Sequence, residues 1–191
     1  MITSDIQSAN LRMYVNDMAA LEKNIFDAVD KQRCDDRVKA DPACSALIEA
    51  IHTDTTTRLR DIENHAAAIG SETGATIKET VAGIAGTIAG IYDMVRKHPV
   101  SRMLRDDYTA LSLAATGYSM LYTTALAVRD QPVANVALRH LQSITPLVMS
   151  LSKIIPGVVV KELAEDDPLI DTNVVELAQQ KTEEAWGAAK V

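Results

Sequence analysis

The chain has 191 residues, 47% hydrophobic and 24% charged. That length suits one domain with a tail, and the balance excludes wholesale disorder, collagen and low-complexity polymer. The formal charge, 19 basic against 26 acidic groups, is −7, a poor electrostatic match for nucleic acid. Aromatics make up 4%, with one Trp and one Phe, so the core is expected to be aliphatic and small. Eight Gly and six Pro are few for an all-β chain, which needs frequent turns.

The first predicted element, helix A, covers about residues 3–32. Leu11, Val15, Met18, Glu22, Ile25 and Val29 alternate at intervals of four and three, the spacing of a buried helical seam. Residues 30–42 are charged and irregular and hold Cys34, with Cys44 just beyond. Two cysteines make neither a disulfide scaffold nor a zinc pattern. They read as ordinary thiols at helix ends, or else as a pair pinning the loop.

Helix B is predicted over about residues 44–70, with a seam of Ile48, His52, Thr55, Leu59, Ile62, Ala66 and Ile69. Gly70 supplies a natural stop. A third helical segment follows over about 75–98. Ala82, Gly86 and Gly90 are spaced four apart there, a small face suited to close packing in the bundle or across a dimer. His98-Pro99 ends it.

Helix C is predicted over about 100–129, along Leu104, Tyr108, Leu111, Ala115, Tyr118, Tyr122 and Ala125. Residues 108–128 carry no charge, but six Ser/Thr and three Tyr interrupt them at helical intervals. The composition suits the central helix of a soluble bundle better than a lipid-facing span, and no transmembrane span is expected. Helix D begins near Pro132. Its seam is Val133, Ala137, His140, Ile144, Leu147, Leu151 and Ile154, ending at Pro156-Gly157, with a kink expected at Pro146.

Residues 161–191 hold three Lys against eight Asp/Glu. They read as an acidic tail with a short helix, after a bundle domain over 1–160. The acid pairs at 35–36, 106–107 and 166–167, with His65 and His98, are expected to be solvated near helix ends or loops. No basic n-region precedes an apolar run at the N-terminus, so a cytoplasmic location is expected. The order A–B–crossing helix–C–D predicts an all-α, antiparallel four-helix bundle with a long, helix-containing B–C crossover.

Three stretches carry a family resemblance: "VNDMAALEKNIF" in helix A, "TRLRDIENHAAAIG" closing helix B and "ALSLAATGYSMLYTTALAVRD" in helix C. Over roughly residues 8–155 the chain resembles the ferritin-like superfamily, and within it the small bacterial YciE/YciF-type proteins. The resemblance implies a ferritin-like bundle, a general stress-associated context, and a metal-ligand role for the family's counterpart of Glu22.

Di-iron chemistry in such bundles takes a Glu from each of two helices and a Glu-x-x-His from each of the other two, because two cations in a dry core need several carboxylates. Here the alignment puts Thr53 and Thr56 where the helix B motif would lie, and Tyr118 where helix C should carry an acid. Helix D has no carboxylate over 133–157. The di-metal site therefore reads as lost.

Two readings of the remaining polar seam residues stand. In the first, Glu22, His52, Tyr118, Tyr122 and His140 form a buried hydrogen-bonded cluster without metal. An unpaired buried polar group costs about 1–3 kcal/mol, so each must find a partner or lie at the bundle's edge. In the second, Glu22, Glu49, His52 and His140 hold a single iron or other divalent ion, since Glu49-Ala-Ile-His52 is a literal Glu-x-x-His. No nucleophile or phosphate-loop motif has a recognisable context.

The expected function is thus non-enzymatic: a structural or interaction protein with no cofactor, forming a homodimer through the Ala82/Gly86/Gly90 face or the acidic tail. The alternatives are a mono-metal protein handling iron or peroxide, and a binder of apolar ligands or membrane surfaces.

Overall fold

A computed structural model of the chain describes residues 5–70 and 99–187. The third helical segment, with Ala82, Gly86 and Gly90, lies outside these residues. The described residues form six helices and no strand: α1 (Asp5–Gln32), α2 (Asp36–Lys39), α3 (Pro42–Ala68), α4 (Pro99–Ala127), α5 (Gln131–Asp166) and α6 (Val175–Gly187).

Local chemistry sets the helix ends. Asp41 caps α3, accepting from the backbone N–H groups of Ala43 and Cys44 at 2.9 and 3.1 Å, with Pro42 in the first turn. Asp130 caps α5 in the same way, accepting from Val133 N–H at 3.1 Å. These bonds satisfy donors that a helix start leaves orphaned. Gly70, at φ 65°, takes the left-handed position after α3 that glycine tolerates best. The start of α4 is capped from afar: Glu162 of α5 accepts from Val100 N–H at 2.7 Å and Ser101 N–H at 3.2 Å.

The four long helices pack side by side, each against two neighbours: α1 on α3 and α4, and α5 on α3 and α4. At one end Gln32 donates to Asp107 over 2.9 Å, joining the end of α1 to the start of α4. Lys161 pairs with Asp41 there, joining the end of α5 to the start of α3. At the other end Leu11, Ile69, Val128 and Pro132 line one cleft. So α1 and α5 run one way, α3 and α4 the other, and every neighbouring pair is antiparallel. Gly70 and Pro99 consequently lie at opposite ends.

The core is aliphatic: Val15, Ile25, Ile48, Ile51, Leu104, Leu111, Leu121, Ile144 and Leu151 are all fully buried. Gly117 of α4 leaves room for Met18 of α1, whose Sδ a β-carbon there would meet at 2.5 Å.

Two expectations are corrected here. Helix α5 does not stop at Pro156-Gly157; it passes both Pro146 and Pro156 and runs to Asp166, because Glu162 is anchored on the start of α4. It thereby crosses the expected boundary at residue 160. Asp106 and Asp107 are buried, not solvated; Arg105 pairs with Asp106 at 2.6 Å and Gln32 donates to Asp107. The reading of Cys34 and Cys44 as ordinary thiols holds: both are free, Cys34 exposed and Cys44 buried.

The C-terminal helix α6 lies across α5, where Gln179 donates to the Lys153 carbonyl at 2.6 Å and the Trp186 ring meets Tyr108 at 5.9 Å. Within the described residues α5 is the one helix long and apolar enough to cross a membrane by length and composition. The uncharged stretch over 108–128 belongs instead to α4, the helix most extensively packed against α5.

Candidate functional site

Every main helix sends at least one polar side chain into the middle of the bundle. Glu22 comes from α1, Thr55 and Arg58 from α3, Tyr118 from α4 and His140 from α5; all five are buried, and Glu22 and Arg58 are 0% exposed. Arg58 is the hub. Its Nε donates to Glu22 Oε1 at 2.8 Å and its Nη2 to Thr55 Oγ1 at 2.8 Å. Its Nη1 pairs with Asp54 one turn earlier on α3. A guanidinium is a planar fork of five donors that stays charged in proteins, and here one fork spends its three faces on three acceptors.

The site extends toward α5 through acids and hydroxyls. Ser143 donates to Asp54 at 3.3 Å. Asp61 accepts from Arg139 at 2.8 Å and lies 3.8 Å from His140 Nε2. The His140 ring packs against Tyr118, with centroids 5.1 Å apart.

Burial sets the protonation of these two rings. Desolvation lowers the His140 pKa to about 4, against the opposing pull of Asp61, so the imidazole is neutral at physiological pH. Desolvation, then the neighbouring Glu22 carboxylate, pushes the Tyr118 hydroxyl well above its ordinary range. It too is neutral, and its hydroxyl keeps its proton to donate.

The other expected members stand apart. His52 is half-buried on the α1–α3 edge, six residues or about 9 Å of helix rise from Arg58. Its Nε2 lies 3.2 Å from Asp30 Oδ1, and its ring meets Phe26 at 5.1 Å. Glu49 accepts from Arg33 at 3.0 Å on the same edge. Tyr122 is half-buried and packs on the apolar core. So Glu22, Tyr118 and His140 are brought together, and His52 and Tyr122 are not, because α3 turns Ile51 rather than His52 inward and α4 turns Leu121 inward.

Among the described residues the four expected ligands of a single ion are not brought together. Glu22 and His140 lie in the interior while Glu49 and His52 lie at the edge, and among the described residues no three His, Cys, Asp or Glu side chains group as ligands. The Glu22 carboxylate already faces a fixed positive charge, which a divalent ion would have to displace.

The residues missed in the sequence are Asp54, Arg58 and Asp61. The available signal was α3's second regular phase, Cys44, Ile48, Ile51, Thr55, Arg58, Ile62 and Ala66, which fits as well as the seam through His52 and Leu59 but places a charge inside.

Comparison with protein families, with characterised proteins and with solved structures gives no match.

Proposed function

We propose that the chain is a ferritin-like bundle serving as a non-enzymatic structural or interaction module, with an arginine in the place of the family's metals. The single observation that carries this reading is the fully buried Arg58–Glu22 pair. One permanent cation neutralises the carboxylate that the family resemblance marks as a ligand. The helix directions support the ferritin-like reading, because α1 and α5 run one way and α3 and α4 the other, the order a bundle with one long crossover takes.

Support for an interaction role comes from the outer side of α4. Leu113, Met120 and Leu126 are exposed there, in a stretch without a charged residue from 108 to 128. A second copy of the chain, in a cytoplasmic and stress-associated setting, is the proposed partner. Metal analysis of protein purified from cells supplied with iron or manganese tests the reading. The expected content is below one ion per chain; stoichiometric metal that disappears in Glu22→Ala would overturn it.

A second reading, binding to apolar ligands or membrane surfaces, is favoured by α5, whose most apolar stretch is only 17% buried. Flotation with anionic liposomes tests it: co-flotation supports this reading, and protein left at the bottom of the gradient removes it.

A further inference from the structure

Where the bundle's lower end closes, a cleft of about 410 Å³ opens between α1, the end of α3 and the α4–α5 turn. Its walls are chemically divided. Leu11, Ile69, Val128 and Pro132 form an apolar side, and Arg12 and Arg129 contribute two guanidinium groups.

Arg129 occupies a position that disfavours it. It follows α4 at φ 62°, the only non-glycine residue at positive φ among those described. Asp130 N–H bonds back to the Ala125 carbonyl at 2.8 Å and Arg129 N–H to that of Leu126 at 3.1 Å. This is the helix-ending motif in which glycine is the usual left-handed residue, as Gly70 is at the end of α3. A side chain held in that conformation at a cavity is a pointer to function.

The charges are also unspent. Among the described residues Arg33, Arg37, Arg58, Arg60, Arg105 and Arg139 each meet a carboxylate, whereas the side chains of Arg12 and Arg129, like that of Arg102, have no assigned ion pair or hydrogen bond. The one acid lining the cleft, Asp130, uses its Oδ1 to cap α5. In a chain of net charge −7, two exposed arginines lining one cleft with an apolar side are a local reversal of sign. Paired guanidinium forks match a phosphate's charge and its oxygen geometry.

We propose that this cleft binds a small phosphate monoester carrying an apolar or aromatic body. Arg12 and Arg129 grip the dianion, and the body lies on Leu11, Ile69, Val128 and Pro132. The ligand thus needs both halves of the cleft, which separates it from free phosphate.

The test is a titration of the full chain with phenyl phosphate, and separately with inorganic phosphate, at constant ionic strength, read by backbone amide shifts. The expected result is saturable binding of phenyl phosphate with shifts around the α4–α5 turn. Affinity should be about tenfold weaker for inorganic phosphate, and weaker by a similar factor in Arg12→Gln and Arg129→Gly. Arg129→Gly relieves the backbone, so its melting temperature should equal or exceed that of the wild type, and its loss of binding cannot come from unfolding. Absence of saturation, unchanged binding in either variant, or equal affinity for inorganic phosphate would overturn the proposal.

Discussion

Arg58 Nε lies 2.8 Å from Glu22 Oε1, with both side chains wholly out of water. Taking two charges from water is costly, and their attraction offsets the cost only when the remaining donors are satisfied too. Thr55 accepts from one further nitrogen of Arg58 and Asp54 pairs with the other, while Glu22 Oε2 has no hydrogen-bond partner among the described residues. The pair therefore specifies how α1 and α3 register against each other, and removing one partner is worse than removing both.

Arg58→Leu should destabilise the fold by about 3–5 kcal/mol, because Glu22 is left as an uncompensated buried charge. The double variant Glu22→Leu, Arg58→Leu should recover most of that loss. Urea unfolding of the wild type, both single variants and the double variant measures the coupling; additive effects would show that the pair does not act as a unit.

His140 makes stability depend on pH. Its folded pKa, about 4, lies below the ordinary value of 6.5, so between those values the unfolded chain binds the proton and the folded chain does not. Stability should fall as pH drops from 6.5 toward 4, by roughly 3 kcal/mol at most. In His140→Gln that contribution should vanish, and the difference between the two stability–pH curves isolates it.

Tyr118 should refuse to ionise. Desolvation and Glu22 hold its hydroxyl well above the usual range, so the phenolate absorbance gained on raising the pH should stay incomplete until the chain unfolds. Tyr118→Phe should remove that late component.

The two thiols should react on different timescales. Cys34 is exposed and Cys44 is buried, with its pKa pushed up to about 11, chiefly by desolvation, and the thiolate is the reactive form. A thiol reagent at neutral pH should titrate one cysteine quickly in the folded protein and both in denaturant. Two fast thiols would contradict the placement of Cys44.

Glu162 should behave as a cap supplied from another helix. Glu162→Ala leaves Val100 and Ser101 N–H without the carboxylate, at a cost of about 1 kcal/mol. Thermal melts of the variant measure the loss.

The helical class, the extents of α1, α3 and α4, and the inward place of Glu22, Tyr118 and His140 were legible because aliphatic periodicity survives in a single sequence. The hub was not. On α3 two phases of the 3.6-residue repeat differ by one residue at positions 51/52 and 58/59. Hydropathy favours the phase that buries Leu59, since arginine is rarely interior. The fold takes the other because Glu22 across the interface rewards a cation. Likewise, a doublet such as Asp106-Asp107 reads as solvent-facing until its tertiary partner Gln32 is known, and Pro156-Gly157 reads as a stop until Glu162 is seen anchored beyond it.

The most direct test of the central claim is anomalous diffraction from crystals soaked in cobalt(II) or manganese(II). Guanidinium density against Glu22 and no anomalous peak among Glu22, Tyr118 and His140 are expected. A peak there, with Arg58 swung away and acidic side chains closing on the ion, would contradict that claim.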